Sequence, residues 1–343
     1  MKWRKDGANL AISGMSTTSH VTINRIELPT PFAVGSVNSF LLTSDTAAVL
    51  VDCGPNFPPA KEALLEGLRQ QGLSLEDLTG LVLTHGHVDH VGLSATIQHH
   101  GVPIHTFEDV EPWLDETHSR SQLRSKFLLD FYRQAGMNQE ELKIVERDFF
   151  FMQKLNDRSV VDVVLTPFAP LPLLPSFEVI PVPGHAQSAL ALFQRETGDM
   201  IIGDQLLARI SSNAVVEPTV FATVGDASAR TRSLLDYREN LQMLQALPIG
   251  RVFPGHGEVF EGAQELIERR LSDGDRRRQK IFELVTAHPG ETPFSYAQRY
   301  YPRHVHEPSL ILSEVIGYLD WLVKDGMLRE QSNKSDGTFR FYP

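Results

Sequence analysis

Short apolar segments separated by turn residues dominate the chain from His20 onward. The segments VTINRIEL, NSFLLTS and AAVLVDCG are rich in β-branched and aromatic residues, and Pro, Gly and Asp punctuate them. This pattern predicts short strands. The segment PPAKEALLEGLRQQGL then spaces apolar residues at helical intervals and stops at Gly72, which predicts a helix with a glycine cap.

The next stretch continues the alternation of strands and helices. LTGLVLTH is short and apolar and predicts a buried strand, DHVGLSATIQHHG predicts the helix after it, and VPIHTF predicts another strand. Strands resume much later with FEVIPVPGH, LALFQRETGDMIIGDQ and GRVFPGHGE, where ETGD is typical of a hairpin turn. A strand–helix succession of this kind predicts an α/β layered fold.

Between about residues 111 and 155, charged residues interleave with bulky apolar ones and turn residues are scarce. This pattern predicts two or three helices inserted into the main body. One interpretation is a peripheral helical insert that serves stability alone. The other is a lid over a site, with an apolar lining supplied by residues such as Phe127, Phe131, Tyr132 and Phe149.

After Gly262 the pattern predicts three helices followed by two strands, which is typical of a winged-helix-like module. Its third helix offers Lys324 as a cation against Glu314, Asp320 and Asp325, whereas a recognition helix presents Arg, Lys or Asn to DNA. We therefore interpret the module as a structural tail whose apolar third helix gives a homodimer a surface. The predicted organisation is a leader at 1–19, a catalytic domain at 20–262 and a winged-helix-like domain at 263–343.

Composition narrows the class of protein. The 343 residues are 41% hydrophobic and 22% charged, as in ordinary globular proteins, and the net charge of −11 argues against nucleic acid or anionic membrane as partners. No apolar run approaches about 18 residues, so we expect no membrane span, and the leader lacks the apolar core of a secretion signal. The single cysteine, Cys53, fits a reducing compartment, and we expect a cytoplasmic protein.

Candidate chemistry begins where the apolar strand Leu81–Leu83 ends. Four residues of metal-ligand type occupy six positions there, and three more follow later predicted strands, each beside a glycine: His85, His87, Asp89, His90, His185, Asp204 and His256. In layered α/β proteins, ligand-binding residues gather where strands end. We therefore expect all seven side chains to converge.

Five imidazoles and two carboxylates suit two divalent cations, with zinc expected and iron or manganese as alternatives. His85 and His87 alternate and could face one ion together with His185. Asp89 and His90 could then face a second ion with His256. Asp204, with two oxygens, could bridge the ions, and a shared hydroxide would be the nucleophile. Asp89 and Asp204 are the candidate catalytic carboxylates.

The motifs THGHVDH, PGH, GDQ and PGHG, with VDCG upstream, resemble those of the metallo-β-lactamase superfamily over most of residues 20–262. The resemblance implies an αββα sandwich with a dinuclear metal site at one edge of its two sheets. It implies the same division of ligands between the two ions, with Asp204 as the bridging carboxylate. Asp52 matches the family's upstream aspartate, which supports the metal loop by hydrogen bonding to a ligand histidine.

The β-lactamases of this superfamily commonly carry a cysteine where this chain has Asp204, which argues against antibiotic hydrolysis. The full ligand set resembles the glyoxalase II branch and its relatives. We therefore expect hydrolysis of an acyl bond in a small thioester, lactone or ester. The alternatives are a metal-dependent nuclease or phosphodiesterase, and an enzyme similar to the persulfide dioxygenases, which carry one iron. A non-catalytic relic would have lost ligands, and none is missing here.

Overall fold

Two β-sheets packed face to face organise the computed structural model, which describes residues 20–115, 119–219 and 222–343. The first sheet contains, side by side, β1 (Thr22–Leu28), β2 (Val37–Thr43), β3 (Ala48–Val51), β4 (Gly80–Val82), β5 (Ile104–Thr106) and β6 (Val163–Val164). β1, β2 and β3 are antiparallel, and β3 to β6 are parallel. The parallel part brings the carboxyl ends of β3, β4 and β5 to one edge of the sheet.

The second sheet contains, side by side, β7 (Pro170–Leu171), β8 (Leu174–Pro181), β9 (Leu190–Gln194), β10 (Asp199–Gly203) and β11 (Val252–Pro254). Neighbouring strands are antiparallel except β10 and β11, which are parallel. The ends of β10 and β11 therefore point to the same edge. That edge meets the first sheet, since the backbone N–H of Asn38 in β2 donates to the carbonyl of Gly255, 2.7 Å away.

Apolar residues fill the space between the sheets. The rings of Phe40 on β2 and Phe253 on β11 meet edge to face with centroids 5.5 Å apart, and Val82 and Ile201 are buried in the same cluster. Each sheet also buries its outer face under helices, which produces four layers. Successive side chains of a strand point to opposite faces of the sheet, so each short strand contributes residues both to the space between the sheets and to the contact with the helices.

Helices α1 (Pro58–Gln70), α2 (Val88–Val91) and α3 (Ser94–Gln98) belong to the side of the first sheet, where Leu64 packs in the cluster that holds Leu81. The segment predicted as one helix after His87 is thus two short ones. The N–H of Leu93 donates to the carbonyl of Gly54, 3.0 Å away, and this contact replaces a helical bond at the break.

The insert predicted near residues 111–155 contains α4 (Glu111–Leu114), α5 (Ser119–Gln134) and α6 (Gln139–Gln153). Phe127, Phe131 and Tyr132 are buried in the core beside the second sheet and its helices. Phe149 packs against that core. These aromatic side chains are therefore core residues, and the alternative in which they line a lid is wrong for Phe127, Phe131 and Tyr132.

Helices α7 (Ser233–Gln245) and α8 (Ala263–Ala287) pack with the second sheet, and the chain continues through α9 (Pro293–Tyr300), α10 (Pro308–Lys324), β12 (Arg329–Asn333) and β13 (Thr338–Tyr342). β12 and β13 form an antiparallel hairpin. The order of three helices and two strands is the predicted one, whereas the pattern analysis missed α7. The domain boundaries and the winged-helix-like assignment stay predictions.

Helix α10 is largely covered by helices of its own chain: most of its residues are buried, and it packs against α7, α8 and α9. Its apolar surface is therefore explained within one chain, and a homodimer stays a prediction without support from this helix.

The predicted leader at 1–19 lies outside the described residues. Within the described ranges, no helix combines the length and apolarity that crossing a membrane requires. Short 3₁₀ helices occur at Leu75–Asp77, Glu108–Val110 and Ala227–Ala229.

Candidate metal centre

The structure brings all seven predicted ligands together at the edge where the two sheets meet. They fall into three overlapping groups whose ligand atoms lie within 4.8 Å of one another: His85, His87 and His185; His85, His90 and Asp204; and Asp89, His90 and His256. Each follows a strand end, because β4, β8, β10 and β11 all terminate at this edge. The rigid sheets therefore aim side chains that are up to about 170 positions apart in the sequence.

The first group consists of three imidazoles. Nδ1 of His87 lies 3.1 Å from Nε2 of His85 and 2.9 Å from Nε2 of His185. His85 and His185 are buried, and His87 is half-buried. The short distances place three ring nitrogens around one point.

The other two groups, which share His90, mix imidazoles with carboxylates. Nε2 of His256 lies 3.3 Å from Oδ2 of Asp89 and 3.4 Å from Oδ2 of Asp204. Asp204 also reaches the first group, with Oδ2 3.6 Å from Nε2 of His185, while its Oδ1 lies 3.5 Å from Nε2 of His90. Asp204 therefore lies between the group of His85, His87 and His185 and the group of Asp89, His90 and His256, as expected of a bridging carboxylate.

Backbone carbonyls set the ring orientation of two ligands. Nδ1 of His185 lies 2.8 Å from the carbonyl oxygen of Asn213, and Nδ1 of His256 lies 2.7 Å from that of Ser36. A carbonyl only accepts, so each Nδ1 carries a proton, and each Nε2 faces the site, where its lone pair would bind a cation once any second proton has left.

Asp52 orients two further rings, those of His90 and His85. Its Oδ2 lies 2.8 Å from Nδ1 of His90 and accepts from the Thr84 hydroxyl, also at 2.8 Å. The Thr84 oxygen then accepts from Nδ1 of His85, 3.0 Å away. Nε2 of both His85 and His90 is thus left to bind a ligand, in agreement with the role expected of Asp52. Sequence reasoning missed Thr84, although it stands inside the motif.

Burial and the three carboxylates shift the pKa values of the imidazoles in opposite directions. Burial holds the pKa of His85 well below its usual value and lowers the pKa of His87 to about 3. Burial would also lower the pKa of His256, but its hydrogen bonds to Asp204 and Asp89 outweigh that effect and raise it to about 10. The carboxylate side of the site therefore attracts positive charge, which bound cations supply.

The donor set fits divalent cations. Nε2 of His90 and Oδ1 of Asp204 are buried, and neither has a hydrogen-bond partner among the described residues. Since Nε2 of both His85 and His185 carries a lone pair, neutral His87 can donate its Nδ1 proton to only one of them. A bound cation would satisfy the other short nitrogen–nitrogen approach, and imidazoles with carboxylates are common ligands of zinc, iron and manganese.

Close approach of the backbone makes this packing feasible. A Cβ atom on Gly255 would lie 2.1 Å from Oδ1 of Asp204 and 2.7 Å from Cε1 of His90. A Cβ on Gly86 would meet the ring of Trp113 at 2.2 Å. Trp113 on α4 packs beside the site, its ring centroid 5.3 Å from that of His87. No pattern in the sequence indicated this neighbour.

Comparisons with known proteins agree with this geometry. The family model described as the Metallo-beta-lactamase superfamily matches residues 33–256. The probable metallo-hydrolase YqjP of Bacillus subtilis is 34% identical over 303 residues, covering 87% of this chain and 91% of that protein. Thioesterase pkgB of Emericella nidulans is 20% identical over 260 residues, covering 76% of this chain and 57% of that protein.

A crystal structure of a metallo-beta-lactamase family protein from Thermus thermophilus superimposes with a TM-score of 0.77 at 22% identity, covering 93% of this chain and 98% of that one. At this identity the likeness speaks for the fold, and it confirms the predicted α/β sandwich. The family match spans the strand ends that carry the seven ligands. This chain is therefore a hydrolase that belongs to the metallo-β-lactamase superfamily.

Proposed function

We propose that this chain hydrolyses an acyl bond, in a thioester, lactone or ester, with two divalent metal ions. His85, His87 and His185 would hold one ion, Asp89, His90 and His256 the other, and Asp204 would contact both. The observation that carries the proposal is the position of Asp204, whose Oδ2 lies 3.6 Å from Nε2 of His185 and 3.4 Å from Nε2 of His256. One carboxylate thus links two complete groups of ligands.

When bound, a pair of divalent cations supplies an acidified water as nucleophile and a Lewis acid for the carbonyl oxygen. The chain itself prepares the site. The Asn213 and Ser36 carbonyls and the Asp52 carboxylate keep protons on the outer nitrogens of His185, His256 and His90. The inner nitrogens are therefore available without any rearrangement, which is the advantage of a preorganised site. We propose zinc as the native metal on the basis of this ligand set.

Apolar side chains near the site favour a partly apolar substrate. Trp113 forms one wall beside His87. The loop that supplies Ser36 also carries Phe32, whose ring meets that of Phe151 on α6 with centroids 6.2 Å apart. Phe151 is exposed. An apolar rim of this kind suits an acyl chain, and the resemblance to a thioesterase supports the same class of substrate.

The nuclease alternative loses its main electrostatic support. That support is the segment DGDRRRQK, with its basic run at Arg276–Lys280. The three arginines of the run are paired with acidic residues of the chain, Arg276 with Asp273, Arg277 with Glu314 and Arg278 with Asp325. Nucleic acid would have to compete with these partners for every guanidinium. We retain the nuclease and the one-iron dioxygenase as outcomes of the test. We also propose a cytoplasmic location, on the basis of the single cysteine.

The test combines metal quantification with a substrate panel. The full chain, purified with zinc or manganese, is assayed against thioesters, lactones and esters, and in parallel against single-stranded RNA. We expect two metal ions per chain, acyl hydrolysis, and a loss of activity of at least about 100-fold in Asp204→Asn, beyond the usual effect of removing a partner outside the ligand set.

The matched control is Asp199→Asn, which exchanges a buried carboxylate at the other end of β10, where it pairs with Arg251. This variant should keep its metal and its activity. Cleavage of RNA without acyl hydrolysis would favour the nuclease, and one iron per chain would favour the dioxygenase. Full acyl hydrolysis by Asp204→Asn would contradict the mechanism.

A further inference from the structure

We propose that the C-terminal helices α8 and α10 position the metal ligand His185, with Asn213 as the positioning residue between them. The inference rests on the metal-binding part of the proposed function but does not depend on the substrate. It assigns a role to the C-terminal part of the chain, which contributes none of the seven ligands. The connection runs through the segment 205–217, which follows Asp204.

The central contact is a relay of two hydrogen bonds. The Nδ1–H of His185 donates to the backbone carbonyl of Asn213, 2.8 Å away. The side-chain amide of Asn213 donates in turn to the carbonyl of Leu310 in the first turn of α10, 3.0 Å away. The N–H of Val215 also donates to the carbonyl of His185 at 3.2 Å. The ring and backbone of His185 are thus held by a segment that α10 anchors.

A second contact with α10 lies three residues further along the segment. The N–H of Val216 donates to the hydroxyl of Ser313, 3.4 Å away, and Ser313 is buried. Leu310 and Ser313 lie one turn apart on α10, so they present two hydrogen-bond acceptors on the same face of the helix. The segment therefore meets α10 at two adjacent points.

Helix α8 holds the first half of the same segment. The guanidinium of Arg270 donates to the carbonyls of Leu207 and Ile210, 2.9 Å and 2.7 Å away. A single guanidinium nitrogen, Nη2, thereby donates to two backbone acceptors that no strand or helix would otherwise satisfy. The hydroxyl of Ser212 donates to the carbonyl of Asp204, which ties the segment to the bridging carboxylate.

These contacts matter because residues 205–217 form no helix or strand. The conformation of such a segment depends on its side-chain and tertiary hydrogen bonds rather than on a repeating ladder. The group of Asp89, His90 and His256 has different supports, since Ser36 and Asp52 belong to the first sheet and its loops. Loss of the α10 contact should therefore lower the affinity for the ion at His85, His87 and His185 and leave the affinity for the other ion unchanged.

The experiment compares Asn213→Ala with Gln264→Ala in the full chain. Gln264 on α8 donates to the carbonyl of Leu247 at 2.8 Å, so its removal deletes the same kind of bond away from His185. Zinc affinity is measured for each of the two ions by competition with a chelator, and the melting temperature of the metal-free protein is recorded. Cobalt is substituted to report ligand geometry in its visible spectrum.

We expect Asn213→Ala to bind one of the two ions about tenfold more weakly, the lower end of the effect of removing partners outside the ligand set. Its cobalt spectrum should change, whereas the metal-free melting temperature should match that of Gln264→Ala. Ser313→Ala is a smaller change on the same path, and it should weaken the same ion in case Asn213→Ala folds poorly. The Gln264→Ala variant should bind both ions as the wild type does.

Wild-type affinity for each of the two ions, with an unchanged cobalt spectrum, in both Asn213→Ala and Ser313→Ala would overturn the inference while leaving the proposed function intact. Equal weakening of both ions would also overturn it, because the predicted effect is confined to one group. A wild-type chain that binds no divalent ion would contradict the proposed function and the inference together. The two failures are therefore distinguishable by the wild-type measurement.

Discussion

Oδ2 of Asp52 lies 2.8 Å from Nδ1 of His90, and both side chains are buried. Asp52 holds this position with a φ of 58°, the left-handed region that residues other than glycine seldom adopt. Its Oδ1 accepts from the N–H of Thr84, 2.8 Å away, which fixes the carboxylate from the neighbouring strand end. An uncommon backbone conformation kept at this point indicates that the carboxylate serves the site.

Replacing this carboxylate by an amide should weaken metal binding. In Asp52→Asn, the amide that faces Nδ1 of His90 can donate, which favours the proton on Nε2, where the metal would bind. We expect the affinity for the ion at His90 to fall by about 10- to 100-fold, as for other partners of ligand histidines. Chelator competition measures the change. An unchanged affinity would show that the Asp52–His90 contact does not set the ring's proton.

The sequence was enough to predict that the seven candidate ligand side chains converge, and the reason is physical. His85, Asp204 and His256 each follow a short apolar strand. Parallel strands such as β10 and β11 end at a common edge of their sheet, and that edge meets the end of β4 in the other sheet. The family resemblance and this regularity predicted which distant residues converge. The fold class followed from the same alternation of strands and helices.

What the sequence did not reveal depends on tertiary contacts. Phe127 and Phe131 lie in an apolar pattern that is the same whether helices, a sheet or a substrate covers it, so the pattern did not distinguish core from lid. Asn213 acts through its carbonyl, which every residue has, and its partner Leu310 is 97 positions away. Trp113 gains its place beside His87 only because Gly86 leaves room for its ring.

Gly255→Ala should disrupt the centre by steric exclusion alone. The added Cβ would lie 2.1 Å from Oδ1 of Asp204, so the carboxylate must leave its place between the two ligand groups. We expect a loss of bound metal of at least about tenfold in affinity and a corresponding loss of hydrolysis, read by metal analysis and the acyl assay.

Gly257→Ala is the matched control two residues further along. A Cβ there meets no atom within 4 Å, but the φ of 85° strains any other residue. It should cost roughly 1–2 kcal/mol of stability through that strain and keep both ions. Equal metal loss in the two variants would show that loop strain, rather than the contact with Asp204, is responsible.

Glu217 should give the stability of the metal-free protein a recognisable pH dependence. Burial raises its pKa above the usual 4.5, although the N–H of Gln187 and the charge of Arg124 act in the opposite direction. The folded chain then holds this proton more tightly than the unfolded chain. Its contribution to stability is complete below the unfolded pKa and is lost as the pH rises through the folded pKa.

Relative to Glu217→Gln, the wild type should therefore lose free energy of unfolding as the pH rises from about 4.5. Urea unfolding at several pH values measures the difference. Glu66→Gln is a control of opposite sign, since hydrogen bonding from Arg69 lowers the pKa of Glu66 to about 2. Glu66 is fully exposed, so its slope should be shallow. A wild-type free energy of unfolding that increases with pH relative to that of Glu217→Gln would contradict the assignment.

Arg230 should be the charged residue whose loss destabilises the chain most. It is buried, and its Nη2 lies 2.5 Å from Oδ1 of Asp320 on α10 and 2.6 Å from Oε2 of Glu330 on β12. Arg230→Met would leave Asp320 buried beside a single remaining cation, Arg232. We expect a loss of about 3–5 kcal/mol in the free energy of unfolding, because the half-exposed Arg232 only partly compensates the buried charge of Asp320.

The control and the double variant separate the pair from the packing. Arg232→Met removes a half-exposed partner of Asp320, at 2.6 Å, and should cost no more than about 1 kcal/mol. Adding Asp320→Leu to Arg230→Met removes the buried carboxylate as well and should recover part of the loss, since an apolar pair avoids the desolvation of both charges. Urea unfolding of the three variants provides the comparison. A double variant less stable than Arg230→Met would mean that Asp320 stabilises α10 through contacts other than the Arg230 ion pair.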